Sequence, residues 1–258
     1  MEENKKKLEQ LIAENKRLRA ENITFAIQLK KFKFLARLVG HDLRGPIANA
    51  VTCVKLSREN VEDLENLDDV KKFLQIAEVQ SQGALDLITN ILTWARMQQD
   101  GAKICLEKLD LKSSIMSAIS ASLYTSVSKG INLRYTINGH VFITTDKGIL
   151  QTIVMNIFTN AVKFTNKNGN ITISDEEEEN FVKIVIKDDG IGMSQEKVQK
   201  IFETVGVSSW GTENEKGTGL GLSICKDLAD MAGMLLEVQS EGEGKGTTFT
   251  ISIPNSKK

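Results

Sequence analysis

Three cysteines in 258 residues, Cys53, Cys105 and Cys225, are widely spaced and odd in number. That argues against both a disulfide framework and a metal cluster, and it fits a reducing cytosol. Net charge is equally scarce. With 33 basic against 34 acidic residues the total is -1, so no whole-molecule field recommends nucleic acid or a membrane surface as a partner. No uninterrupted apolar run approaches the roughly 18 residues that span a bilayer. The charged start MEENKKK also lacks the apolar core of a signal peptide. These absences predict a soluble, cytoplasmic chain with no membrane contact of its own. What is present is the balance of a globular protein, 41% hydrophobic and 26% charged, at a length that suits two domains.

The first segment carries a heptad. Leu8, Asn15, Asn22, Leu29, Ala36 and Leu43 occupy one core position, and Asn4, Leu11, Leu18, Phe25, Phe32 and Val39 the other. An asparagine in such a seam pairs best with its mate in a parallel two-stranded coiled coil, so Asn15 and Asn22 predict a homodimer in fixed register. The helix is expected to run past His41 to about Ser57, with the polar stretch Arg58–Asp69 as its turn. A second helix follows, with Val70, Leu74, Ala77, Ala84, Ile88, Ile91 and Ala95 as an apolar stripe that ends near Gln98. Two antiparallel helices per chain, dimerised, make a four-helix bundle.

Beyond Gly101 the texture alternates between strands and helices. Strands are expected at Ile104–Leu109, Ile131–Ile137, Asn170–Ser174, Phe181–Lys187, Leu235–Ser240 and Thr247–Ile253. Helices are expected at Ser113–Lys129, Lys147–Phe164, Ser194–Phe202 and Leu220–Ala232. The acidic run Asp175–Glu179 reads as a solvated hairpin turn, His140 as a turn residue without a role, and the three cysteines as packing residues.

His41 sits in Gly40-His41-Asp42-Leu43-Arg44-Gly45-Pro46, facing outward from the heptad. Glycine costs about 1 kcal/mol and proline about 3 kcal/mol in a helix interior, so their crowding here is a conflict of the kind found at functional sites. Pro46 cannot donate to the Asp42 carbonyl, which loosens the turn beside an exposed imidazole. A neutral imidazole is a good nucleophile toward phosphorus when its other nitrogen keeps the proton and a carboxylate steadies it. Asp42 is placed to be that carboxylate.

HDLRGP resembles the H-box of two-component sensor histidine kinases, and further motifs follow in that family's order. Asn156-Ile157-Phe158-Thr159-Asn160-Ala161-Val162-Lys163-Phe164-Thr165 resembles the N-box, Asp188-Asp189-Gly190-Ile191-Gly192 the first glycine box, and Ile201-Phe202-Glu203 the start of the F-box. Gly217-Thr218-Gly219-Leu220-Gly221-Leu222 resembles the second glycine box and Gly244-Lys245-Gly246-Thr247-Thr248-Phe249 the last. Val205 stands where the F-box has its second aromatic. A dinucleotide fingerprint would need a strand directly before Gly217, but the polar stretch Ser208–Lys216 precedes it.

The resemblance implies an α+β protein: a coiled coil and dimeric four-helix bundle followed by an α/β sandwich (Bergerat-type) ATP-binding domain. Its parts would be a coiled-coil signalling helix or fusion segment at 1–33, a dimerisation and phosphotransfer domain at 34–101 and a catalytic domain at 102–258. It implies ATP and magnesium as cofactors, with Asn160 on the metal. Asn156 and Lys163 would face the phosphates, and Asp188 with Gly190, Gly192 and Thr247 would hold adenine. Phe202, Gly217, Gly219 and Gly221 would belong to the lid and its phosphate loop. It implies autophosphorylation of His41 and transfer to the aspartate of a response-regulator receiver domain. Related ATP hydrolases carry a catalytic glutamate where Asn156 stands here, which argues against hydrolysis as the purpose. An ATP-binding scaffold that transfers nothing is the other alternative. Gly45 stands where kinases that also dephosphorylate their partner have Thr or Asn, so a kinase-dominant protein is expected.

Overall fold

A computed structural model of the chain describes residues 7, 11, 14–19, 21–22, 25, 43–60, 67–97, 104–139, 141–202, 210–213 and 221–255. It divides into two units, Met1–Leu85 and Asp86–Lys258. His41, Asp42, His140, Gly217 and Gly219 lie outside the described residues, as does most of the heptad.

In the first unit, the described heptad residues Leu11, Leu18 and Phe25 are helical and half or more exposed in the single chain. Helix α1 spans Arg44–Asn60 and helix α2 starts at Leu67. Both ends of the expected turn Arg58–Asp69 are therefore helical, because charged residues with high helix propensity extend a helix as readily as they end one. On α2, Val70, Ala77 and Ala84 are buried, but Leu74 is 49% exposed. Buried positions seven residues apart trace a narrower line than the expected stripe.

Helix α2 continues to Met97, and its last turns belong to the second unit. In chain order that unit then carries β1 (Leu106–Asp110), α3 (Leu111–Ser128), β2 (Asn132–Thr136), β3 (Phe142–Asp146) and α4 (Lys147–Phe164). There follow β4 (Asn170–Glu177), β5 (Phe181–Asp188), α5 (Gln195–Lys200), α6 (Gly221–Met231), β6 (Leu235–Gln239) and β7 (Thr247–Pro254). The main sheet has the order β2-β4-β5-β7-β6 and is antiparallel except for the β2–β4 pair, while β1 and β3 form a separate antiparallel ribbon. Strand β3 was not anticipated from sequence. The run Phe142-Ile143-Thr144-Thr145-Asp146 is short and only its alternate members Ile143 and Thr145 are buried beside the helix cap, so it carries little apolar signal.

One face of the sheet is packed against helices. Along β5, Val182, Ile184 and Ile186 are buried at every second position, and Asp188 continues that phase. The period of two thus carries a carboxylate to the covered side of the sheet. Helix α4 packs on β5, with α3 and α6 beside it. Its buried positions include Ile149, Ile153, Ile157 and Phe158, all fully enclosed.

Two expectations fail in this unit. Strand β4 runs to Glu177, so Asp175 and Glu176 are strand residues, and Asp175 accepts from the Asn138 backbone N–H at 2.8 Å. Ladder hydrogen bonds to β5 outweigh the poor strand propensity of acidic residues. Cys105 precedes β1 and is exposed, whereas Cys225 is fully buried as expected. Among the described residues no helix is long and apolar enough to cross a membrane.

The start of α4 rests on one side chain. Asp146, 3% exposed, accepts from the Ile149 N–H at 3.1 Å as N-cap, and its second oxygen accepts from the Cys105 N–H at 3.1 Å. Asp146→Ala removes both and is expected to destabilise the second unit by about 2–3 kcal/mol, read from the denaturant midpoint at unchanged slope. Asp146→Asn retains an acceptor and should lose less.

Candidate functional site

The ends of β5 and β7 meet at Asp188 and Thr247, which are paired in the ladder. Asp188 is 5% exposed, and its Oδ1 accepts from the backbone N–H of Gly190 at 2.9 Å and of Thr247 at 3.2 Å. The neighbouring Asp189 points the other way. It accepts from the Asn170 backbone N–H at 2.8 Å and from Nδ2 at 2.7 Å, fixing the strand end so that Asp188 stays inward.

Two glycine loops close over this carboxylate. The Gly244 N–H donates to the Ile191 carbonyl at 2.6 Å and the Gly246 N–H to the Gly190 carbonyl at 3.1 Å. A Cβ on Gly246 would lie 2.0 Å from the Asp188 carbonyl oxygen, and one on Gly190 would lie 2.3 Å from that of Phe164. Only glycine permits such approach. Ser240 joins the two loops: its hydroxyl donates to the Gly246 carbonyl at 2.7 Å and accepts from the Met193 N–H at 3.0 Å. The result is one buried carboxylate held between two glycine loops, whose chemistry suits a ligand amino group.

On α4, Asn156, Asn160 and Lys163 recur at intervals of four and three, so they share one face, and all are half-buried. The Lys163 ammonium lies 4.7 Å over the Phe164 ring. Asn156 Nδ2 donates to the Thr152 carbonyl at 2.8 Å and to Asn90 Oδ1 at 2.8 Å. Gly221, at the start of α6, approaches so closely that a Cβ there would lie 2.5 Å from Asn156 Oδ1. The structure thus brings together Asp188, Gly190, Gly246 and Thr247 at one place and Asn156 with Gly221 at another, both along α4. Phe202 is half-buried just beyond α5. Gly192 has φ 62°, and a Cβ there would strike the Gly242 carbonyl. Among the described residues no group of three or more His, Cys, Asp or Glu could hold a metal.

Sequence reasoning missed the residues that hold the end of α4. The Lys129 ammonium, 3% exposed as a residue, donates to the Val162 carbonyl at 2.9 Å and the Lys163 carbonyl at 3.1 Å. Thr212 donates its N–H to the Lys163 carbonyl at 3.1 Å and its hydroxyl to the Thr165 carbonyl at 2.8 Å. Neither residue belongs to a motif, so no pattern marked them. Asn90, an asparagine among the apolar residues of α2, was the one signal available.

Residues 145–257 match the family model described as Histidine kinase-, DNA gyrase B-, and HSP90-like ATPase. The chain is 29% identical over 253 residues to an uncharacterized sensor-like histidine kinase of Rhizobium meliloti, covering 95% of this chain and 47% of that protein. It is 25% identical to the histidine protein kinase DivJ of Caulobacter vibrioides, covering 89% of this chain and 38% of that protein. The chain thus spans less than half the length of these curated relatives. In fold it is similar to histidine kinase ThkA in its complex with the response regulator TrrA, at TM-score 0.61 and 21% identity over 90% of this chain and 66% of that one. It is also similar to the histidine kinase AdeS of Acinetobacter baumannii, at TM-score 0.57 and 20% identity over 84% of this chain and 98% of that one.

Burial pushes the Asp188 carboxyl up from 3.8 to about 6, with Asp189 adding to the push and the Gly190 and Thr247 N–H groups opposing it. An amino group donates best to the ionised carboxylate, so adenine affinity should fall as pH drops through about 6, with protons released on binding near that pH. For folding the sign is opposite. A raised carboxyl favours the folded state at low pH, and its contribution is lost as pH rises through about 6. Calorimetry of nucleotide binding at several pH values tests the first effect. Asp188→Asn should abolish the dependence that remains after the nucleotide's own phosphate titration is subtracted.

Proposed function

We propose that this chain, which carries a sensor-histidine-kinase catalytic core, is the cytoplasmic kinase portion of a dimeric sensor that phosphorylates its own His41 from magnesium ATP. The phosphoryl group then passes to the aspartate of a response-regulator receiver domain. The observation that carries this reading is the buried Asp188 between two interlocked glycine loops, on a chain whose α1 begins just after His41-Asp42. The proposed division into a signalling helix at 1–33, a phosphotransfer domain at 34–101 and a catalytic domain at 102–258 follows the motifs.

Asp188 would take the adenine amino group, with Thr247 and the Gly190–Gly192 backbone beside the ring. The α4 face would meet the phosphates through Asn156 and Lys163, and the backbone N–H groups from Gly217 to Gly221 would cradle their oxygens. Asn160 would hold magnesium, which when bound neutralises phosphate charge. His41 supplies the nucleophilic nitrogen. A nitrogen–phosphorus bond forms as the bond from the γ-phosphorus to its bridging oxygen breaks, and ADP leaves with that electron pair. Asp42 would steady the proton on the other imidazole nitrogen. Catalysis of this kind is mostly positioning and electrostatics.

Dimerisation is supported by exposed apolar side chains in the first unit. Ile47, Val51 and Val54 lie on one face of α1 and are each about half exposed, and Leu11, Leu18 and Phe25 stand on the heptad seam. A second copy would cover both.

Incubation with γ-labelled ATP should label the wild type, and the label should be lost in acid and kept in base, as for phosphohistidine. His41→Gln should abolish labelling while nucleotide affinity stays near wild type; undiminished labelling of that variant would show that another residue is the acceptor.

Phosphatase activity toward the phosphorylated regulator should be weak, because Gly45, four residues after His41, has no side chain to orient water. A Cβ at Gly45 meets nothing within 4 Å, so Gly45→Thr has room to supply one. Faster dephosphorylation by the variant in the presence of ADP is the expected outcome, and rapid dephosphorylation by wild type would contradict it.

A further inference from the structure

The last turns of α2 make a set of polar contacts with the nucleotide-binding unit to which they belong. Asn90 and Asn156 exchange side-chain hydrogen bonds, Nδ2 of Asn90 to Oδ1 of Asn156 at 2.9 Å and the reverse at 2.8 Å. One turn on, the Trp94 indole N–H donates to Asp227 of α6 at 3.1 Å, and Arg96 donates to Asp146 at 3.5 Å. Leu87, Asn90 and Trp94 form the buried line of this segment, at 3%, 4% and 6% exposure. An asparagine in the middle of such a line has to find a partner for its carboxamide, and it has found a motif residue.

Counting hydrogens on Asn156 shows the consequence. Its amide carries two N–H donors. One goes to the Thr152 carbonyl, which can only accept and therefore fixes which end of the amide is nitrogen; the other goes to Asn90. Its oxygen accepts from Asn90 and is crowded by Gly221. A phosphate oxygen needs a donor, and Asn156 has none left while Asn90 is docked.

We propose that Asn90 is a positioning residue that sets nucleotide affinity by occupying the carboxamide of Asn156, so that the triphosphate and the end of α2 compete for one side chain. The inference rests on the phosphate-facing role proposed above for Asn156. Linkage is reciprocal: what releases Asn90 strengthens nucleotide binding, and nucleotide in turn weakens the hold of the site on the segment around Trp94.

The test uses the whole chain with magnesium and adenylyl imidodiphosphate, which cannot be consumed. Asn90→Ala should bind roughly three- to tenfold tighter than wild type by calorimetry, the value of about one hydrogen bond no longer displaced. In autophosphorylation its KM for ATP should fall with little change in kcat. Equal or weaker affinity in Asn90→Ala overturns the proposal, since a merely structural pair would leave affinity unchanged or damage the site. The second measurement keeps Asn90. The chain has two tryptophans, so Trp210→Phe leaves Trp94 as the sole indole. Its emission should shift to the red when the analogue saturates the site, as the indole passes from burial into water. Unchanged emission at demonstrated saturation overturns the proposal even if Asn90→Ala fails to fold. Failure of the wild type to bind the analogue at all would instead remove the nucleotide-site reading, and this inference with it.

Discussion

The final carbonyls of α4 cannot be satisfied within the helix, and the site is organised by how they are met from outside. A buried ammonium from Lys129 takes the Val162 and Lys163 carbonyls, the Ile191 N–H takes that of Phe164, and Thr212 takes those of Lys163 and Thr165. Each donor comes from a different part of the chain: the end of α3, the first glycine loop, and the described segment between α5 and α6. One helix end thereby ties the first glycine loop beside Asp188 to the end of α4. Burying a charge to do so is costly, and the two carbonyl dipoles that receive it offset part of that cost.

The same helix sets where the loop beside Asp188 and the Asn156–Lys163 face stand within the unit. Asp146 holds its start, Ile149 through Val162 bury its inner side, and the Ile191 N–H reaches the Phe164 carbonyl at its end only because Gly190 has no side chain to intervene. A helix secured at both termini and along one face presents Asn156, Asn160 and Lys163 as a fixed row. Precision there comes from apolar packing on the opposite side, which a sheet face of alternating Val and Ile supplies.

Much of this was legible because the relevant signals are local. Helix α4 was expected at Lys147–Phe164 and stands at those residues, since its cap, its period and its terminal threonine all agree. Asp188 and Gly190 were legible through a short motif that encodes a close backbone approach. Strand β3 was not, because a five-residue strand whose one buried apolar residue is Ile143 has almost no period to read. The acidic run of β4 was misjudged because a ladder partner, absent from local sequence, decides its conformation. Lys129 and Thr212 act through carbonyls, and a backbone acceptor leaves no trace in residue identity. His41 and Asp42, the sharpest reading from sequence, lie outside the described residues.

On the proposed reading, the amide at position 156 bears on what kind of ATP chemistry the domain performs by itself. A carboxylate there could take a proton from water; a carboxamide cannot. The carboxylates of the described domain that come closest to function are committed: Asp188 to backbone N–H groups in the cleft, Asp189 to Asn170, Asp146 to the helix cap and Asp227 to Trp94. On the proposed reading, position 156 offers no carboxylate to activate water, and bound ATP would await another nucleophile. A neutral imidazole suits that part, because it attacks without first losing a proton to the site. The domain therefore gains from controlling access and affinity rather than from assembling a base. In such a design an asparagine pair that the nucleotide must break, as between Asn90 and Asn156, acts at the step that the chemistry leaves open to control.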